Sequence, residues 1–341
     1  MLLGRKKISF LNLPTPMEYL SGISGELGIK FYLKRDDLTN LGVGGNKLRK
    51  LEYLLKDAMD QGATMLMTVG GAQTNHGRLT AAVAAKYGLK CVIACIDNYP
   101  GEISANILLD RLMGSEVVLK KDDGRGEDEQ LEELTAQLAR KYEAQGEKVY
   151  RIPMGGSNDL GALGYYECAV ETTLQAHGMG LDDARVFVPV GSLGTYMGLC
   201  CGLKNEHSPL RCTGVAISPF REAKEKRLMD YFHSVKNTFG LKIDATRADF
   251  DVETGYTRGA YNNPSREVRE AIYFMARKEG VILDPCYTGK CFAGILDMAR
   301  EGKIRRGEKI IMVHTGGLPG IYTLHHRVEF EKELRNGVNE I

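Results

Sequence analysis

The sequence predicts an α/β protein of two domains, each an open twisted sheet with helices on both faces. Three observations carry that expectation. The chain has 341 residues, and a single domain usually takes about 150. Short apolar runs alternate with segments whose apolar residues recur at helical spacing, the mark of strand–helix–strand units. The strand-like runs are also apolar throughout, as in RVFVPV (185–190) and KIIMV (309–313). Continuous rather than alternating apolarity belongs to parallel strands covered on both faces.

The elements follow in chain order. Leu48, Leu51, Leu55 and Met59 predict a helix over 48–60. Residues 65–69 read as a strand, 70–75 as a polar glycine-rich loop and 76–87 as a helix. Strands are expected at 91–96 and 116–119. The most charged stretch, 120–133, reads as a solvated loop entering a helix marked by Leu131, Leu134, Leu138 and Tyr142. A strand at 148–152 runs into RIPMGGSN (151–158), whose Pro, Gly and Ser suggest a crossover between domains. Strands follow at 185–190, 213–218 and 309–313, and 251–264 reads as loop.

Composition excludes several classes. Lysine and arginine number 45 against 44 acidic residues, a net charge of +1. No basic patch argues for nucleic acid, and no charge excess for an anionic membrane. The longest apolar stretches are far short of the roughly 20 residues a membrane span needs. The N-terminus MLLGRKKISF has no long apolar core, so no secretory signal is expected. Most of the eight cysteines lie in apolar runs, and none has metal-ligand spacing. They read as reduced thiols of a cytoplasmic protein, and no metal site is expected.

Five segments carry candidate chemistry. Lys47 ends the glycine turn Gly44-Gly45-Asn46 and begins a helix. Desolvation and the positive end of the helix dipole both lower a lysine pKa there. A lysine of that kind can bond a carbonyl cofactor, although an ordinary surface lysine would also fit. Gln73, Thr74, Asn75 and His76 sit between strand and helix, where backbone N–H groups and the dipole favour a carboxylate or phosphate. Thr74 or Asn75 could equally be a helix cap. Ser192, Leu193, Gly194 and Thr195 follow the 185–190 strand and resemble a cup for one small phosphate. The dinucleotide and P-loop patterns are both absent. His314-Thr315-Gly316-Gly317 follows the last strand, and Asp284-Pro285-Cys286-Tyr287-Thr288-Gly289-Lys290 ends another apolar run. His314 could be a satisfied structural histidine and Tyr287 a packed core tyrosine. A cofactor with one phosphate and one aldehyde would use these features together, and pyridoxal 5′-phosphate is that cofactor.

Lys34-Arg35-Asp36-Asp37 and GGNKLRKLE (44–52) resemble the D-cysteine desulfhydrase and aminocyclopropanecarboxylate deaminase family. The resemblance continues through GGAQTNHGRLTAAVAA, VPVGSLGTYMGL, LDPCYTGK and HTGGLPG, from Lys34 to Tyr322. It implies the tryptophan-synthase-β-like fold, fold type II of the pyridoxal-phosphate enzymes. It implies a larger domain from 1–49 and 161–341, a smaller one from 50–160, the site in their cleft, and a homodimer. By position Lys47 resembles the lysine that bonds the cofactor. Thr74, Asn75 and His76 match the loop for the substrate carboxylate, Gln73 lies in the same loop, and Asn75 also falls near the cofactor's phenolic oxygen. Ser192, Leu193, Gly194 and Thr195 match the phosphate cup, with Lys50 beside it. Tyr287 and Tyr261 match active-site tyrosines, and Thr288 and Thr315 fall near the pyridine nitrogen.

Two departures bear on the substrate. The deaminase branch carries a glutamate where this chain has Thr288. A hydroxyl does not keep the pyridine protonated, which suits elimination of a good leaving group better than opening a cyclopropane. Thr74 stands where both branches have serine, and its methyl narrows the pocket. The expected reaction is β-elimination from a small amino acid, D-cysteine first, giving pyruvate, hydrogen sulfide and ammonia. Lys47, Tyr287 or Thr74 would take the Cα proton. The alternatives are aminocyclopropanecarboxylate deamination, a lyase acting on cysteate, diaminopropionate or D-serine, a racemase, and a cofactor-binding protein without turnover.

Overall fold

The computed structural model describes residues 1–98 and 103–338. Among the described residues ten strands form two sheets. The first sheet takes β1 (Met17–Tyr19) and β2 (Lys30–Lys34) from the N-terminal part of the chain. It takes β7 (Arg185–Val190), β8 (Arg211–Ala216), β9 (Asp251–Glu253) and β10 (Lys309–Val313) from the C-terminal part. The order is β1-β2-β10-β7-β8-β9, parallel except for β1 against β2. The second sheet holds β3 (Met65–Gly70), β4 (Lys90–Ile96), β5 (Glu116–Lys120) and β6 (Val149–Ile152). Its order is β5-β4-β3-β6, all parallel.

Both faces of each sheet are buried, as the apolar runs predict. In β7 the side chains of Val186, Val188 and Val190 enter one core while Phe187 enters another. Residues of β10 divide the same way, Ile311 and Val313 against Ile310 and Met312. In the smaller sheet Cys91, Ile93 and Cys95 lie on one side and Val92, Ala94 and Ile96 on the other. Burying each of the Val, Ile, Phe and Met side chains is worth roughly 1.5–3 kcal/mol, so the strands commit their residues to both faces.

Three strands depart from the sequence expectation. The strands β1, β2 and β9 were not anticipated, and β9 lies in the stretch read as loop. Two of them have only three residues, too few for a pattern, and β1 and β9 are sheet edges. The charged stretch behaves as expected, since a helix begins inside it at Glu127.

Helices join the two sheets. The helix Asp159–Gly178 lies against Lys47–Asp60 and Gly194–Asn205 at backbone contact distance. A Cβ on Gly164 would stand 2.4 Å from the Arg49 carbonyl oxygen, and one on Gly198 2.3 Å from that of Ala162. A buried ionic cluster fixes the same junction. Arg49 donates to both Asp36 oxygens (2.8 and 2.9 Å) and to Glu171 (2.9 and 3.0 Å). Lys34 also bonds Glu171, and Asp36 and Arg49 are shut off from solvent.

Candidate active site

The turn before Lys47 is backbone-determined. Gly42, Val43, Gly44 and Gly45 all have positive φ (54°, 65°, 68° and 138°). A Cβ on Gly44 would stand 2.0 Å from the Asp37 carbonyl oxygen, so only glycine fits there. Arg78, buried on the helix Asn75–Lys86, donates to the carbonyls of Gly42 and Gly44. The Asn46 N–H bonds the Thr315 carbonyl at 3.1 Å, tying the turn to the loop after β10. Lys47 then starts its helix with one hydrogen bond, to Asn46 Oδ1 at 3.1 Å. Burial pushes its ammonium down to about 8, although the charge of Asp284 works the other way.

A cluster of donors lies beside Lys47. The helix Gly194–Asn205 begins after Leu193, whose φ of 69° is left-handed and whose side chain is buried in the core. Its first N–H groups have no intrahelical partner. Lys50 reaches this end from the next helix, donating to the Gly155 carbonyl (2.9 Å) and to Ser157 Oγ (3.4 Å). Ser157 and Ser192 share a hydrogen bond of 2.8 Å, and Asn46 Nδ2 donates to Thr195 Oγ1 at 2.9 Å. A Cβ on Gly194 would meet Ser157 Oγ at 2.5 Å and Lys50 Nζ at 2.6 Å. Burial and the neighbouring Lys47 charge push the Lys50 pKa well down. His76 is buried with both ring nitrogens unpartnered, its Cε1 3.3 Å from where a Gly156 Cβ would lie. Burial and the charges of Lys47 and Lys50 lower its pKa and keep it neutral. A buried lysine without a salt-bridge partner, Lys50, together with free N–H groups and hydroxyls, suits a phosphate, and the orphaned His76 imidazole beside them suits a further polar ligand group.

Next to this cluster a cavity of about 200 Å³ opens between the two sheets. Gly71, Gln73 and Asn75 line it from one side, and Tyr261, Asp284, Tyr287 and His325 from the other. The hydroxyls of Tyr261 and Tyr287 are 2.7 Å apart. Burial pushes the Tyr287 hydroxyl above its ordinary value, so it stays protonated. Asn75 Oδ1 accepts from Asn106 at 3.1 Å. Gln73 lines the cavity, but its amide is spent on Ser104 O and the Asn106 N–H. Thr74 caps its helix, Oγ1 accepting from the Gly77 N–H at 3.2 Å. Thr288 is buried, donating to Asp284 Oδ1 (2.7 Å) and accepting from the Asp284 N–H (2.9 Å). The Asp284 carboxylate also takes the N–H groups of Cys286, Tyr287 and Thr288. Thr315 is buried beside Gly45, and its hydroxyl has no partner among the described residues. His314 is the structural histidine of the two readings, held between Ile282 O and the Gly316 N–H.

Asn46 and Asp284 stand inside candidate segments of the sequence without a role assigned to them, and Ser157 stands outside every one. RIPMGGSN reads from sequence only as a crossover, yet it brings Gly155 and Ser157 to Lys50. Its Gly-Gly-Ser after a strand was the available signal.

A family model described as "Pyridoxal-phosphate dependent enzyme" matches residues 8–316. The chain belongs to that family. Its cofactor is pyridoxal 5′-phosphate, and the donors beside Lys50 and the amine of Lys47 fit the phosphate and the aldehyde of that group. The chain is 42% identical over 321 residues to a D-cysteine desulfhydrase of Yersinia enterocolitica, covering 92% of this chain and 94% of that protein. It is 37% identical over 318 residues to a putative 1-aminocyclopropane-1-carboxylate deaminase of Pyrococcus abyssi, covering 93% of each. A crystal structure of an ACC deaminase homologue superposes with a TM-score of 0.86 at 35% identity, covering 99% of this chain and 98% of that one. The architecture is that of fold type II enzymes. The relatives are named as a desulfhydrase and a deaminase, and the chain is a pyridoxal-phosphate dependent lyase. Among the described residues no helix is long and apolar enough to cross a membrane.

Proposed function

We propose that the chain eliminates the β-substituent of D-cysteine, giving pyruvate, hydrogen sulfide and ammonia. The observation that carries this reading is Lys47, a half-buried amine with a pKa near 8, whose charge acts on Lys50 and His76 of the donor cluster and meets that of Asp284 from the cavity wall. Lys47 would hold the cofactor's aldehyde carbon. Lys50, Ser157, Ser192, Thr195 and the backbone of Leu193 and Gly194 would hold its phosphate. Asn75 would face the phenolic oxygen, and Thr288 and Thr315 the ring nitrogen. Bound there, the cofactor supplies an electron sink that stabilises negative charge at the substrate Cα.

The chain's own groups divide the remaining work. The first N–H groups of the helix Asn75–Lys86, with Thr74 and His76 beside them, would orient the substrate carboxylate. Once free, the Lys47 amine can take the Cα proton near neutral pH. Tyr287 keeps its proton, so it suits protonation of the departing sulfur rather than proton abstraction. Its bond to Tyr261 fixes where the Tyr287 hydroxyl oxygen sits, and with Tyr261 as donor the Tyr287 proton is left free for the sulfur.

The desulfhydrase relative supports a thiol leaving group. Thr288 supports it too, since its proton is committed to Asp284, whose carboxylate already accepts three N–H groups. Ring-opening deamination is the second reading, favoured by the names of the other two relatives. The two sheets and the helices between them support a cleft between a domain of 1–49 with 161–341 and one of 50–160. A homodimer and a cytoplasmic location belong to the same proposal, the latter supported by eight unpaired cysteines.

The test is product analysis of the cofactor-loaded protein with D-cysteine, L-cysteine, β-chloro-D-alanine, L-cysteate, diaminopropionate, D-serine and aminocyclopropanecarboxylate. Pyruvate and sulfide from D-cysteine, with none from L-cysteine, are expected. 2-Oxobutyrate from the cyclopropane substrate would overturn the leaving-group argument. Silence across the panel from fully loaded protein would favour binding without turnover.

A further inference from the structure

Lys290 is buried and takes no part in the chemistry described so far. It lies on the helix Thr288–Arg300, three residues after Tyr287. No carboxylate stands within salt-bridge distance of it among the described residues. Its ammonium donates instead to three backbone carbonyls, of Ile217 (2.9 Å), Thr257 (3.0 Å) and Ala260 (2.5 Å). An ammonium has three protons, so each finds one acceptor. Three carbonyl oxygens aimed at one point repel each other unless a positive charge sits among them.

Those carbonyls come from two separate segments. Ile217 directly follows β8, while Thr257 and Ala260 belong to the turn that carries Tyr261 and Asn262 into the cavity wall. The turn is strained, with Arg258, Gly259 and Asn262 at φ of 57°, 87° and 54°. Arg258 bonds Asp297 on its outer side, and Asn262 bonds His325 and His326. Lys290 ties the same turn both to the sheet and to the helix that Tyr287 caps.

We propose that Lys290 is a positioning residue whose ammonium does the work of a bound monovalent cation, gathering the carbonyls of 217, 257 and 260 and so setting the Tyr261–Tyr287 hydroxyl pair. The intact protein then needs no monovalent cation. Removing the side chain beyond Cβ leaves a carbonyl-lined site that an alkali cation can enter. The kinetic consequence rests on the lyase reading, whereas the structural one does not.

The experiment compares the parent, Lys290→Ala and Lys290→Met in potassium chloride and in tetramethylammonium chloride at equal ionic strength. Tetramethylammonium has no N–H and is too bulky for the site. Three quantities are read: thermal midpoint of the cofactor-free protein, amide exchange of residues 257–262, and kcat and KM with D-cysteine. The parent should be the same in both salts. In tetramethylammonium, Lys290→Ala should exchange these amides at least tenfold faster and lose at least tenfold in kcat. Potassium should restore both saturably and raise the midpoint, while Lys290→Met, whose side chain fills the space, should not respond. A Lys290→Ala protein indifferent to potassium in exchange and midpoint overturns the proposal, as does one with parental kcat in tetramethylammonium. Potassium-dependent exchange in a protein that turns over no substrate would sustain the cation site and defeat the lyase reading instead.

Discussion

Gly194→Ala tests the phosphate site through a single methyl group. The Cβ would stand 2.5 Å from Ser157 Oγ and 2.6 Å from Lys50 Nζ, closer than real contacts allow. Gly194 opens its helix at an ordinary negative φ, so alanine brings no backbone strain there. Something must move, and the end of the Lys50 chain is the softest neighbour. Moving it removes one charge-assisted hydrogen bond to the phosphate, worth about 1.5–3 kcal/mol. A loss of about 2 kcal/mol is roughly thirtyfold in affinity. The assay titrates cofactor-free protein with pyridoxal 5′-phosphate and, in parallel, with pyridoxal. The variant should bind the phosphorylated form about thirtyfold more weakly while its affinity for pyridoxal stays within twofold of the parent. Equal losses for both ligands would mean that Gly194 does not face the phosphate. No loss for either would show that Lys50 and Ser157 do not form the cup.

Three further outcomes are expected. The folded-state pKa of Lys47 is lowered to about 8 from 10.5, so the unfolded chain binds more protons between those values. Stability of the cofactor-free protein should therefore rise from about pH 8 to 10.5 by a Lys47 contribution that is missing in Lys47→Met, read as the difference in urea midpoints; parallel profiles would refute it. Arg49→Met leaves the buried Asp36 carboxylate without its main partner, and chemical denaturation should show a loss of about 3–5 kcal/mol. A loss under 1 kcal/mol would mean that the cluster does not hold the junction. Tyr287→Phe should keep the cofactor absorbance band and lower kcat on D-cysteine by about 100-fold or more, the scale of general acid catalysis; an unchanged kcat would remove Tyr287 from proton transfer.

The sheet architecture was legible because burial on both faces writes itself into the strands, as in 185–190 and 309–313. The three overlooked strands were β1, β2 and β9. The residues of β2, KFYLK, have lysine at both ends and a half-buried Tyr32, so no continuous apolar run announces them. Lys47, Lys50 and the 192–195 loop were legible because each stands at a strand–loop–helix junction. Ser157 was not, since its role arises from Lys50, 107 residues away in the chain. Thr74 shows why a residue type underdetermines a role. Its hydroxyl caps a helix and stands beside the Asn75 and His76 loop at the same time. The direction of Gln73 was also hidden, because its partner is the backbone of a later helix. Asp284 alters the argument from Thr288, since the sequence shows a hydroxyl where the structure shows a hydroxyl bonded to a carboxylate.

The role of Lys47 is tested most directly by reducing the cofactor-loaded protein with borohydride and mapping its peptides by mass spectrometry. The cofactor's added mass is expected on Lys47 alone, on a peptide beginning at the Gly44-Gly45-Asn46 turn or upstream of it. The added mass on Lys50, Lys290 or another lysine, or on none, would contradict it.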